Sequence, residues 1–121
     1  MASGKGDLLY ASEKIGVAVV ILATTHGTLQ DRLLDAWVSQ GHFALPMGPG
    51  QAGKPMSDEL IQRLEAFNER MSSRPAKADE GSFAATILAF TDEEASDAAR
   101  ELTEINHQIQ VELRDASPGR R

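Results

Sequence analysis

Thr91-Asp-Glu-Glu-Ala-Ser-Asp-Ala-Ala-Arg-Glu-Leu-Thr-Glu-Ile-Asn-His-Gln-Ile-Gln-Val-Glu-Leu113 decides the fold class. Its apolar residues Ala95, Ala98, Leu102, Ile105 and Ile109 recur at spacings of three and four, so an α-helix gathers all five on one stripe. Thr91 and Glu94 have the spacing of a capping box, with Phe90 at the staple position before the cap. Ser117-Pro118-Gly119 stops the helix, which is predicted to run to about Leu113. A stripe of this kind has to be buried against something, so it describes a packing surface and not a chemistry.

Working outward, Ser82 is expected to cap a short apolar helix from Phe83 to Phe90, after a polar break at 72–81. Before that break, Ser57 stands as an N-cap with Asp58 and Glu59 in the first turn, where the helix dipole favours anions. Leu60, Ile61, Leu64, Phe67 and Met71 form the buried face of that helix. The stretch 45–56 holds three prolines and three glycines and is read as an irregular loop.

The N-terminal part is expected to be a helical hairpin. Leu8, Ser12, Ile15, Val19 and Leu22 keep heptad spacing from about Asp7 to Thr25, with Leu9, Gly16, Val20 and Ala23 on the adjoining row. That helix is therefore expected to be central and packed on several sides. Ile15, Val17, Val19, Val20 and Ile21 are β-branched and would also suit a buried strand, but a strand needs partners. The other candidate strand, 82–90, carries three alanines that suit a helix better. Gly27 breaks the pattern, and Thr28 with Asp31 gives an aspartate variant of the capping box. Leu29, Leu33 and Trp37, with Leu34 and Val38 beside them, line a second helix ending near Gly41. Trp37, the sole tryptophan, is expected to anchor the core with its indole N–H on an oxygen acceptor.

The expected architecture is all-α: an irregular four-helix bundle of four main helices plus one short helix, in a single domain over 7–116. Residues 1–6 and 117–121 are expected to be flexible ends.

Composition narrows the function classes. The chain of 121 residues has no cysteine, which removes disulfides, thiolate metal sites and cysteine nucleophiles together. Its net charge is −6, and 57–116 alone carries fourteen acids against six bases. An acidic surface repels phosphate backbones, so nucleic acid is not an expected partner. The longest apolar run, Ile15–Ala23, is nine residues, far short of the ~20 that a helix needs to span a bilayer. No membrane association and a cytoplasmic location are expected.

Chemistry-bearing motifs are sparse. Gly48-Pro-Gly-Gln-Ala-Gly53-Lys54 matches the start of a phosphate loop, but Pro55 stands where a Ser or Thr must ligate magnesium. Glu104-Ile-Asn-His107 has the Glu-x-x-His spacing of di-iron bundles. Those sites need a second such pair facing inward, and the stripe puts Glu104 and His107 on the flank or outer face. No metal, no cofactor and no catalytic residue are therefore expected, with one candidate set aside.

That candidate is His26, in His26-Gly-Thr-Leu29. Its setting resembles the phosphoaccepting histidine of helical phosphotransfer domains, although those keep the histidine inside a helix and Gly27 ends this one. The competing reading is a histidine placed favourably against a helix C-terminus.

Two functions follow as expectations. The first is a protein–protein interaction or regulatory module working by self-association, as a homodimer through the last helix, or by docking another protein. It takes Leu102, Ile105 and Ile109 as the partner surface, partly exposed in the monomer. The alternative is a small phosphocarrier or catalytic domain centred on His26, helped by Thr25, Thr28 and Asp31.

Overall fold

Asp7 opens the chain's first helix by accepting the Leu9 N–H at 3.0 Å, which satisfies one of the free donors of the first turn. In the computed structural model, which describes residues 7–46, 54–76 and 81–116, helix α1 spans Leu8–Thr24. The flexible ends expected at 1–6 and 117–121 lie outside the described residues, as does most of the Gly/Pro-rich loop, over 47–53.

Gly27, at φ 110°, turns the chain after α1, and Thr28 starts α2 (Leu29–Ser39) with both halves of its capping box formed. A short 3-10 turn follows at Gly41–Ala44. Ser57 caps α3 (Asp58–Met71) by accepting the Leu60 N–H. Helix α4 is the short Ser82–Ile87, and α5 is the long Asp92–Ala116, with the Thr91–Glu94 box closed in both directions. The β-branched run 15–23 is thus helical, and the described residues form an all-α fold without strands.

One cap differs from expectation. Gly81, not Ser82, is the N-cap of α4, and it makes no side-chain capping bond. The helix is instead fixed from outside: Thr86, fully buried, accepts the Arg74 N–H at 2.8 Å and so ties the segment after α3 to α4.

The core is continuous. Leu8, Ala11, Ile15, Ala18 and Leu22 from α1 meet Leu33, Ala36 and Trp37 from α2 and the whole stripe of α5. Leu60, Leu64, Phe67 and Met71 of α3 close it. Helix α5 runs antiparallel to α1: Gln110 donates to Ser12 Oγ near the start of α1, while Gln30, just beyond its end, donates to the Phe90 carbonyl and Asp92. Trp37 is wholly buried, edge-on to Phe67 with centroids 4.9 Å apart, and its indole N–H donates to Asn68 Oδ1 at 3.0 Å. An otherwise costly buried donor is thereby satisfied.

The surface between α3 and α5 is polar. Arg63 donates in a fork to both oxygens of Glu101 at 2.7 and 3.1 Å, and also to Glu104 and Gln108. Gln108 passes the chain on to Glu112, which accepts from the Ser57 N–H and hydroxyl. The hydrogen bond and charge of Glu101 hold the Arg63 guanidinium above its ordinary pKa, against the opposing effect of partial burial.

One expectation about packing is corrected. Leu102, Ile105 and Ile109 are all 0% exposed, so the stripe is covered by the chain itself and offers no surface in the folded monomer. Helix α1 is packed on several sides, as expected, by α2, the 3-10 turn and α5, but not on all of them. Its first apolar row faces the core, but Leu9 and Val20 on the second row are 54% and 58% exposed, and Val17 and Ala23 are exposed beside them. Helix α2, the 3-10 turn and α5 account for its neighbours, which leaves that side uncovered by the described residues.

Candidate functional site

The α2 sequence carries two apolar rows, and only one of them is needed for the core. Leu33, Ala36 and Trp37 face inward, while Leu34 is half-buried and Val38 is 42% exposed. Across from them stands α4, presenting Phe83 and Ala84 from its first turn. Between these two walls the described residues leave an open groove of about 420 Å³.

Its lining is mainly apolar: Leu34 and Val38 on one wall, Phe83 and Ala84 on the other, with Gly81 and Ser39 at the edges. Asp31 and Asp35 sit on the α2 side, one helical turn apart and both exposed. Asp31 holds one oxygen to the Thr28 N–H as part of the capping box. Asp35 makes no side-chain hydrogen bond or ion pair among the described residues.

Aromatic rings carry the apolar strip past the groove's end. Phe83 lies 5.6 Å from the His42 ring, and His42 lies 4.1 Å from Phe43, both in tilted contact. His42 is fixed by a 3.0 Å contact between Nδ1 and the Trp37 carbonyl, in which Nδ1 must be the donor. Phe43 is 38% exposed, and Lys14 lies over both its ring and that of Tyr10. From Leu34 to Tyr10 the surface thus offers an apolar and aromatic track across four elements.

The residues singled out from sequence sit elsewhere. His26 is exposed, as a phosphocarrier reading requires, but it lies in the α1–α2 turn and lines neither this groove nor the hollow between the start of α1 and the entry to α3. Glu104 and His107 point outward, and Glu104 is engaged by Arg63. Among the described residues no three His, Cys, Asp or Glu side chains come together as a metal site would need. No described helix is long and apolar enough to cross a membrane.

A hollow of about 430 Å³ lies between the start of α1 and the entry to α3, lined partly by Glu59, Glu112 and Asp115. Glu112 is committed there to capping contacts with Ser57, which gives the hollow a structural explanation.

Val38 was legible as an apolar position on α2, but its exposure depends on what the rest of the chain packs beside it and could not be read from α2 alone. Compared with protein-family models, with curated proteins and with solved structures, the chain matches none of them.

Proposed function

We propose that this chain is a cytoplasmic protein-interaction module that docks a partner in the groove between α2 and α4. The observation that supports it is the apolar row Leu34–Val38, left open opposite Phe83 and Ala84 and prolonged by Phe43. Contiguous apolar surface of this kind, edged by polar residues, is typical of binding surfaces and is costly to leave in water. Trp37 ties α2 to α3 through Phe67 and Asn68, His42 ties the turn to the Trp37 carbonyl, and Thr86 ties α4 to the segment after α3, so a ligand would meet a preformed surface.

The test is affinity capture from lysate of the protein's own source, run in parallel with wild type and Val38→Asp. Val38 is exposed, so the substitution spares the core. Proteins captured by wild type and lost with the variant support docking at the groove. A captured set identical for the two contradicts it.

Self-association is a second reading, now transferred from α5 to α1. Leu9, Val17 and Val20 are exposed along that helix, and Gly16 between them has no atom within 4 Å of an added Cβ. An exposed apolar side with a small residue at its centre suits close helix pairing. Sedimentation equilibrium of wild type and Val20→Asp decides it: a dimer lost on substitution supports pairing through α1, and a monomer in both excludes it.

A further inference from the structure

Building on the groove reading, we propose that its occupant is a basic amphipathic helix. The argument starts from the shape of the α2 wall. Asp31, Leu34, Asp35 and Val38 stand at i, i+3, i+4 and i+7, so apolar and acidic positions share one helical face over about two turns, or roughly 11 Å. A second helix laid along this wall reads it with anchors at the same spacing. Its leucine-like side chains enter between Leu34, Val38, Phe83 and Ala84, and its flanking side chains come level with the two carboxylates.

Charge selects the partner. Asp35 is exposed and has no ionic partner among the described residues, and Asp31 uses one oxygen on the backbone of its own cap. A lysine or arginine pair one turn apart on the ligand matches their spacing, whereas glutamates there would meet two like charges. The net charge of −6 acts in the same direction at longer range, by drawing basic segments in and repelling acidic ones. The groove is open along its length, which suits a helix better than a small molecule enclosed on most sides, and the ligand's basic positions belong at the Asp31–Asp35 end, because Lys14 lies over Phe43 beyond the other.

Two synthetic peptides test this. Both have roughly 18 residues, long enough to hold helix, with the same leucine stripe. One carries lysines beside the stripe and its twin carries glutamates at the same positions. Binding to the full chain is measured by anisotropy at about 0.15 M salt, and the site is mapped by amide chemical shifts. The lysine peptide is expected to bind at least about tenfold more tightly than its twin, with shifts centred on Leu34, Val38, Phe83 and Ala84. Val38→Asp should cost it about tenfold or more, although it adds an acidic charge, and Asp35→Asn about two- to fivefold.

If both peptides bind the groove equally, with loss on Val38→Asp, the basic class of partner is overturned while docking at the groove stands. Shifts that map onto the exposed side of α1, or binding indifferent to Val38→Asp, overturn both.

Discussion

Replacing glycine with alanine should have opposite signs at two positions of this chain, and the contrast tests how tightly the core is built. At Gly41, an added methyl would lie 2.7 Å from Cζ3 of Trp37 and closer still to Cε3. Carbon atoms in contact prefer about 3.5–4.0 Å, so the ring or the turn must move by roughly an ångström. The ring has nowhere to go: it is 0% exposed, edge-on to Phe67, and held at its N–H by Asn68. The 3-10 turn must therefore shift, although Gly41 and Ala44 in it are themselves buried.

Overpacking of this kind costs about 1–3 kcal/mol, partly offset by the reduced entropy of the unfolded chain. An unfolding entropy of about 2.1 cal/mol/K per residue over this length makes a net loss of 1–3 kcal/mol worth about 4–12 °C in Tm. Gly16 is the counterpart. It lies inside α1 with nothing within 4 Å of an added Cβ, so Gly16→Ala should stabilise by about 0.5–1 kcal/mol. Urea unfolding followed by Trp37 fluorescence and by circular dichroism measures both. A Gly41→Ala protein as stable as wild type would refute the close approach of the turn to the indole.

Other outcomes follow from the same contacts. Leu102→Ala should cost about 2–5 kcal/mol in denaturant unfolding, because this residue is core and not surface; a loss below about 0.5 kcal/mol would return the α5 stripe to the list of partner surfaces. Thr91→Ala should cost about 1 kcal/mol by removing the acceptor for the Glu94 N–H, and amide exchange should rise in the first turn of α5. Arg63→Met keeps the stem and removes the fork to Glu101; for this partly solvated pair the loss should be about 1–2 kcal/mol and should shrink in high salt. The raised pKa of Arg63 implies a contribution that is complete below the ordinary guanidinium value and lost only as pH rises through the higher folded one. This group therefore adds no pH dependence to stability between pH 5 and 9, which thermal melts across that range can check.

Local features of the fold were readable because they are written in neighbouring residues. The Thr28–Asp31 and Thr91–Glu94 boxes, the Ser57 cap and the five-residue stripe of α5 each lie within a few turns of one helix. What covers a stripe is a different kind of fact. Leu102, Ile105 and Ile109 carry the same apolar signal whether the chain or a partner buries them, and only the placement of α1, α2 and α3 showed that the chain does. The groove was hidden for the same reason. It depends on which turn of α4 comes to face Leu34 and Val38, namely the first, with Phe83 and Ala84, and on the turn that brings His42 and Phe43 alongside Phe83. The Arg63 network likewise joins residues 38 and more positions apart, with no local mark.

The most direct test of the central claim is site-specific photo-cross-linking in the protein's own cells. A benzophenone amino acid is placed at Val38 in the groove and, as a control, at His107 on the exposed side of α5. Docking at the groove predicts a discrete higher-mass adduct from position 38 that is absent from position 107. No adduct at position 38, or the same adduct from both positions, would contradict it.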